Sequence, residues 1–594
     1  MMDPQKQRLD YGVQLVAPAG YELHSALATT YSLDLETLSC ATLALSLGQT
    51  LEDAGRGEEL ALLESIDALN SKLLVFHNMS SVHVPPKYSS LYALLEPFLV
   101  PVAGASAFSA FHPKLWLLRF TPLEGGAERF RILVLSRNLT FDRSWDVGVC
   151  LDGLAQSRRR IVNNPLIDFL CHLPAPGEVA ACIDAWCAAL AGVEWDVPKP
   201  FKDVRFMPGL ATSAPIELSG ELDELLVVSP FVDADDDGRL SALGARAPKD
   251  RKMLVSRSDT LNRLGEGSLK GWDCYSIPDS IVDGEDQIDD GERQLNDLHA
   301  KMIIATQGHA AVWHVGSANL TNAAFGKRQS APRNTEFMVR MTAPSRVGSP
   351  AVLIQQWYDA QLIVRHQFAR TPQDDTQQEP AVRRLVHELA GMAWRMTASQ
   401  DAGGLYAVQI DTPSVPVVPM GLQVSIELLC RPSEQALSPR IVWTGVALVG
   451  ISAFVTVHVA TTAGKFPTRV HSFALKTELE PTLGDVRRKA VFLDVVATPQ
   501  RLINYLALLV DPGASKANWR RAEGSPGTDT GVVFDLDGSG GLYEQLLRAA
   551  ARSPQRIGRA VEVAGRVIAE GMDVPEGLQD LLQVFERATQ EVDK

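Results

Sequence analysis

Leu298-His299-Ala300-Lys301-Met302-Ile303-Ile304, followed by Val315-Gly316-Ser317-Ala318-Asn319-Leu320-Thr321, is the stretch from which the rest of the chain is read. Side chains two apart on a strand share a face, so His299 and Lys301 point the same way. Met302, Ile303 and Ile304 run apolar, as a strand does on entering a covered sheet. After a turn at Gln307-Gly308, Ala311 to Val315 predicts a second strand, and Gly316-Ser317-Ala318-Asn319 lies at its end. An imidazole, an ammonium, a hydroxyl and a carboxamide therefore converge at one sheet edge. An anionic phosphate oxygen asks for those groups, and no carboxylates are arranged among them for a metal.

The same set recurs upstream. His112-Pro113-Lys114 opens a strand through Leu118, Arg131 to Leu135 is the next, and Ser136-Arg137-Asn138-Leu139-Thr140 closes it. A lone H-x-K is weak, but two copies, each followed after one hairpin by S-x-N-L-T, are hard to reach by accident. On these motifs the chain resembles the phospholipase D superfamily, whose site is built from two H-x-K and S-x-N repeats across a pseudo-twofold interface. The resemblance spans roughly residues 10 to 370. The usual motif continues to an Asp, but Arg119 and Thr306 stand at that position. The Asp-less form is similar to tyrosyl-DNA phosphodiesterases and phospholipase D-like bacterial nucleases. Leu135 and Arg137 also replace the small residues usual around the first Ser, so the halves are not equivalent. Asn334-Thr335-Glu336 resembles the family's N-x-E element, with Ser144-Trp145-Asp146 in the matching place.

The resemblance implies an α/β fold in which two phospholipase D-like α/β/α sandwich halves form a pseudo-dimer. A β-rich accessory domain and a C-terminal helical segment follow. The expected bounds are 1–196 for the first half, 197–372 for the second, 373–400 for a helical linker, 401–540 for the accessory domain and 541–594 for the C-terminal helices. It also implies a catalytic set of His112, Lys114, Asn138, His299, Lys301, Asn319 and Glu336. His112 is expected as nucleophile and His299 as acid/base. Glu336, and in the first half Asp146, would orient an imidazole. Ser136, Ser317, Arg137 and Asp146 are expected around the substrate, the two serines hydrogen-bonding within the site. No metal or other cofactor is expected, because lysines supply the positive charge.

The substrate is where the motif stops informing. Nucleic acid, DNA before RNA, is favoured by the Asp-less motifs, by the absence of a membrane anchor and by basic residues near the motifs: Arg137, Arg143, Arg158 to Arg160, Lys327, Arg328 and Arg333. Phe111, Trp116, Trp145 and Phe325 are candidates to stack bases, with core packing as the plainer explanation. A cytosolic phospholipase or phosphatidyl transferase is the alternative. Another is a scaffold whose site has decayed into a nucleic-acid sensor, with Arg137 filling the phosphate pocket. The likeness to nucleases of bacterial anti-phage systems leaves room for a helicase or translocase partner docking on the C-terminal helices, and for a homo-oligomer.

Composition fits this reading. With 46% hydrophobic and 21% charged residues, large cores can form and wholesale disorder is excluded. A net charge of −15 argues against a broad nucleic-acid-coating surface, though not against a local basic channel. Seven scattered cysteines without a C-x-x-C pair argue against a disulfide scaffold or zinc ribbon and for a cytoplasmic setting. The polar stretch Met1 to Asp10 is no secretory signal. Thr444 to Ala460 approaches membrane-spanning length, but its alternation and Gly450 predict two strands instead.

Elsewhere the pattern predicts strands at Gln423–Cys430, Arg440–Val449, Ala453–Ala460, Val470–Thr477 and Lys489–Val496, and a helix at Pro350–Ala369. Asp233 to Gly238 mimics the start of a calcium loop, but Gly244 stands where the bidentate Glu is needed. The acidic tract Asp279 to Asp297 reads as a solvated loop or as a cover that repels phosphate, in which case its removal would raise activity.

Overall fold

The computed structural model describes residues 9–48, 59–142, 144–233, 237–278, 298–369, 379–462, 470–510, 542–572, 574 and 577–592. The strands of the first half are β1 (Tyr21–Thr30), β2 (Leu73–Asn78), β3 (Leu99–Val102), β4 (Leu115–Pro122), β5 (Arg129–Leu135), β6 (Gly148–Ala155) and β7 (Val193–Trp195). They form one sheet in the order β3-β2-β1-β4-β5-β6-β7. The second half supplies β8 (Val204–Gly209), β9 (Glu224–Val228), β10 (Lys252–Val255), β11 (Asp273–Ser276), β12 (Met302–Gln307), β13 (Ala310–Gly316), β14 (Glu336–Pro344) and β15 (Val364–Arg365). Their order is β15-β11-β10-β9-β12-β13-β14-β8.

The two orders superpose. In each half three parallel strands (β1, β2, β3 or β9, β10, β11) adjoin an antiparallel run that begins with the strand after H-x-K. The duplication is thus structural as well as a matter of motifs. The edges are built differently: β15 has no counterpart beyond β3, and β7 follows the strands it completes, whereas β8 precedes them.

The sheets face each other across one apolar core. Leu117, Ile132 and Val134 from the first pack in the same cluster as Met302, Ile304, Val315 and Val339 from the second. Alternation along β12 explains the layering. Met302 and Ile304 join that central core, while Ile303 and Ala305 face outward to Leu240, Leu243 and Leu261 of covering helices. The outer face of the first sheet is covered by the helices Leu35–Leu47 and Glu59–Ala68. Each half is therefore a helix-covered sheet, and the halves join face to face as a pseudo-dimer.

Downstream, two four-stranded sheets build the β-rich domain, β16 (Arg395–Gln400), β17 (Tyr406–Asp411), β20 (Arg440–Val446) and β23 (Glu478–Leu479) in one and β18 (Leu422–Leu428), β19 (Arg431–Ala436), β21 (Phe454–Thr461) and β22 (Val470–Lys476) in the other. Thr444 to Ala460 is indeed strand, a 3-10 turn and strand. Among the described residues no helix is long and apolar enough to cross a membrane.

Three expectations are corrected. Lys489–Val496 is not a strand but the end of the helix Pro481–Val495, because Leu483, Arg487, Val491 and Val495 bury a stripe at four-residue spacing. The helix from Pro350 stops at Asp359, and Val364–Arg365 pairs with β11 as an added edge strand. Strand β16 begins inside the segment expected to be linker.

The C-terminal helices form a bundle with the first half. Leu546, Ile557, Ala564 and Val567 bury in the same cluster as Leu38, Leu63 and Ile66, so this apolar stripe is spent internally. The β domain is fastened beside them. Arg487 pairs in two-pronged fashion with Glu96 at 3.0 and 2.6 Å, and Glu96 also accepts from Ala453 N at 2.7 Å.

Candidate active site

His112 and Lys114 precede β4, His299 and Lys301 precede β12, and the two pairs meet at the interface of the halves. Short backbone bridges hold them there. His112 N donates to Thr335 O at 2.9 Å, and His299 N and Ala300 N donate to Trp145 O at 3.0 and 2.8 Å. Each H-x-K is thus clamped by the loop that carries the other half's carboxylate.

The side chains repeat this crossing. Glu336 accepts from His112 Nδ1 at 2.9 Å, and Asp146 accepts from His299 Nδ1 at 3.1 Å. Behind each carboxylate stands the serine of its own half. Ser317 Oγ donates to Glu336 Oε2 at 2.5 Å and accepts from Phe337 N at 3.0 Å. Ser136 Oγ donates to Asp146 Oδ1 at 2.8 Å and accepts from Val147 N at 2.9 Å. Asn334 Nδ2 adds a third donor to Glu336 at 3.1 Å. With Nδ1 committed to a carboxylate, each imidazole leaves Nε2 for chemistry.

Both lysines are buried, Lys114 1% and Lys301 0% exposed. Among the described residues neither is ion-paired. Lys114 Nζ donates to His112 O at 3.0 Å, and Lys301 Nζ to His299 O at 2.6 Å. Two cations buried without carboxylate partners are costly unless an anion repays them. Burial pushes Lys114 well below the usual lysine range, Lys301 adding to the effect. Burial likewise brings Lys301 down to about 7, opposed by Asp146 and Glu336.

Burial lowers His112 to about 4 against the pull of Glu336, so its imidazole is neutral near neutral pH. His299 is lowered by burial and by Lys301. Burial alone would raise Asp146, but the hydrogen bond and charge of His299 outweigh it and hold the carboxyl below its ordinary value. Asn138 and Asn319 each keep one buried carboxamide oxygen with no partner among the described residues.

Several sequence expectations change here. Ser136 and Ser317 hydrogen-bond within the site and Asp146 orients an imidazole, as expected, but the serines are 0% exposed and all three side chains are spent on these contacts instead of facing substrate. Arg137 does not fill the phosphate pocket; its Nη2 donates to the carbonyls of Thr140 and Asp142 at 3.0 and 2.9 Å and braces its own loop. Phe111, Trp116 and Phe325 are core residues at 3% exposure or less, and Trp145 packs edge-on against Trp357. Arg158 to Arg160 follow the far end of β6, roughly 25 Å from Asp146 at the usual rise per strand residue, and Arg160 pairs with Glu194 there. Lys327, Arg328 and Arg333 are exposed, and Arg333 adjoins Asn334. At the motif's missing Asp positions, Arg119 pairs with Glu128 at 2.7 Å and Thr306 is buried. Arg143 and the tract Asp279 to Asp297 lie outside the described residues.

Tyr31 joins the site without any motif to announce it. Its ring centroid lies 5.1 Å from that of His112, and Lys114 Nζ lies 5.8 Å from it. The available signal was its place just after β1, the strand beside H-x-K.

No family model matches the chain, and no curated protein matches it. Among solved structures it is similar to yeast tyrosyl-DNA phosphodiesterase, with 12% identity, a TM-score of 0.35, and 57% of this chain and 85% of that one covered. It is also similar to polyphosphate kinase from Porphyromonas gingivalis, at 12% identity and a TM-score of 0.29 over 64% of this chain and 54% of that one. Likenesses this distant carry no weight by themselves. The duplicated strand order and the crossed H-x-K and carboxylate pairs are particular to this chain, and on them it resembles the phospholipase D superfamily in its Asp-less form.

Proposed function

We propose that the chain is a phosphodiesterase that cleaves nucleic acid, DNA before RNA, through a phosphohistidine intermediate and without a metal. The observation that carries this is the pair of buried lysines, unpaired by carboxylate among the described residues, beside two imidazoles whose Nδ1 atoms are committed and whose Nε2 atoms are not.

His112 is the nucleophile, because burial keeps it neutral and its lone pair on Nε2 is available. Nε2 attacks phosphorus, and the departing oxygen takes the proton carried by His299 Nε2. His299, now neutral, removes a proton from water. That water attacks phosphorus and breaks the bond to His112, restoring both residues. Glu336 stabilises the positive charge that His112 acquires on phosphorylation, as a triad carboxylate stabilises an imidazolium. Lys114 and Lys301, with the carboxamides of Asn138 and Asn319, neutralise the non-bridging oxygens. Both site carboxylates are engaged by histidine and serine, so the lysines supply the charge that a metal supplies elsewhere.

Labelled single- and double-stranded oligonucleotides in excess EDTA test the proposal. Cleavage is expected with the wild type and not with His112→Ala. Activity that requires added divalent metal and survives His112→Ala would overturn it. Release of a lipid headgroup from vesicles, with oligonucleotides untouched, would replace nucleic acid with phospholipid as substrate.

A further inference from the structure

The two flanks of the site differ, and the difference can be read position by position. After β1, Thr30 Oγ1 donates to Ser32 O at 2.7 Å and accepts from Leu139 N at 3.0 Å. After β9, Ser229 Oγ donates to Phe231 O at 2.6 Å and accepts from Leu320 N at 2.9 Å. Next, Asp34 accepts from Phe141 N at 2.9 Å and Asp233 from Asn322 N at 2.8 Å. Parallel bridges join Leu33 to Leu139 and Val232 to Leu320. The pseudo-twofold therefore equates Ser32 with Phe231.

Strand register agrees. Pairing of β9 with β12 ends at Val228 and Met302, the chain bends at Pro230 and Phe231, and Val232 bridges to Leu320. Pairing of β1 with β4 ends correspondingly at Thr29 and Leu115, the chain bends at Tyr31 and Ser32, and Leu33 bridges to Leu139. At this equivalent position the first half carries Ser32, 8% exposed, and the second carries Phe231, 42% exposed, while the ring beside His112 belongs to Tyr31, one residue earlier. Arg257 lies over that ring with its guanidinium carbon 4.7 Å from the centroid, while its Nε donates to Leu298 O at 3.0 Å. The arginine covers the ring and ties it to the residue before His299.

We propose that Phe231, backed by Arg257, is a stacking platform for an unpaired nucleobase on the leaving-group side of the scissile phosphate, so that the substrate is single-stranded or frayed nucleic acid. This rests on the phosphodiesterase reading above, in which His299 protonates the leaving oxygen and so marks that side. An aromatic face stacks any base, whereas a base held in a duplex has both faces occupied by its neighbours. Of the aromatics singled out in the sequence, Phe111, Trp116 and Phe325 are core and Trp145 is half-buried against Trp357, whereas Phe231 is exposed.

Dinucleotides provide the test, since each has one phosphodiester bond. Either nucleoside is replaced in turn by an abasic unit, and kcat/KM is compared for wild type, Phe231→Ala and Phe231→Trp. Loss of one base, and not the other, is expected to slow wild type about tenfold. Phe231→Ala should slow the intact dinucleotide by a similar factor with little further loss on the abasic one, and Phe231→Trp should restore discrimination. Cleavage indifferent to either base, or losses that multiply fully, would overturn the platform while leaving the phosphodiesterase reading intact. Quenching of a 2-aminopurine dinucleotide reads stacking without cleavage. Phe231-dependent quenching with no cleavage would support the platform and overturn the phosphodiesterase reading; neither quenching nor cleavage would overturn both.

Discussion

Replacing Glu336 with Gln tests the division of labour between the two halves. Glu336 is 0% exposed and holds His112 Nδ1, Ser317 Oγ and Asn334 Nδ2. A Gln with its oxygen toward His112 and Ser317 turns its amino group onto the Asn334 amino group, whose own oxygen already accepts from Ala110 N at 3.1 Å. One hydrogen bond is lost, which costs about 1 kcal/mol of stability. The bond to His112 also falls from charge-assisted to neutral, worth about 1.4 kcal/mol, or tenfold in rate. Tenfold is the floor. Removing the carboxylate also removes the charge that stabilises phosphorylated His112, and in hydrolase triads the corresponding change reaches about 10⁴-fold. A loss on the order of 10²-fold is expected, all of it in formation of the intermediate.

Asp146→Asn should act on the other chemical half. It weakens His299 as acid and then as base, so a p-nitrophenyl phosphodiester, whose leaving group needs little protonation, should still phosphorylate His112. Stopped-flow with that ester should therefore show a burst of nitrophenolate from Asp146→Asn followed by slow turnover, and no burst from Glu336→Gln. The opposite pattern would reverse the roles of the two histidines. Equal slowing of both variants without a burst would refute the crossed assignment.

Lys301 titrates near 7 because burial disfavours its charged form. Its ammonium is then lost as pH rises through about 7, and the His299 proton needed by the leaving oxygen is lost below the ordinary histidine value, so kcat/KM for an oligonucleotide should fall as pH rises through neutrality. A flat profile would mean that Lys301 does not neutralise the phosphate in the free enzyme. His112, lowered to about 4 mainly by burial, must be neutral to attack, so its acid limb should lie near pH 4, and a limb near the ordinary histidine value would argue against it as nucleophile. Arg487→Met should destabilise the fold by about 3–5 kcal/mol, since it leaves Glu96, 5% exposed, as an uncompensated buried charge. Pairing it with Glu96→Gln should recover much of that loss in chemical denaturation, and simple additivity would show that the pair is not coupled.

Much of the catalytic half was legible in the sequence because its chemistry is local. H-x-K puts an imidazole and an ammonium within two residues, and S-x-N follows one hairpin later, so spacing alone brings four groups to one sheet edge. Apolar runs such as Glu224–Val228 and Met302–Ile304 likewise announce buried strands. The exchange between halves was not legible. That Glu336 holds His112 and Asp146 holds His299 depends on two loops, each more than a hundred residues from its imidazole, meeting across the pseudo-twofold, and no local periodicity encodes such a meeting. The same holds for Tyr31 and Phe231, which reach the site only because β1 and β9 pair beside the H-x-K strands. Burial was decided there too. Phe111 and Trp116 flank a motif in sequence and Phe231 lies far from any, yet packing makes the first two core and leaves the third exposed. Lys489–Val496 failed as a strand for a related reason: its apolar residues fit either period, and the four-residue stripe down to Leu483 is satisfied only in the tertiary fold, Val491 and Val495 packing in the core of the first half and Leu483 in that of the β-rich domain. Short-range spacing fixed which chemical groups this chain carries. Which of them touch, and which are dry enough to have shifted proton affinities, was decided by the contact of two halves distant in sequence.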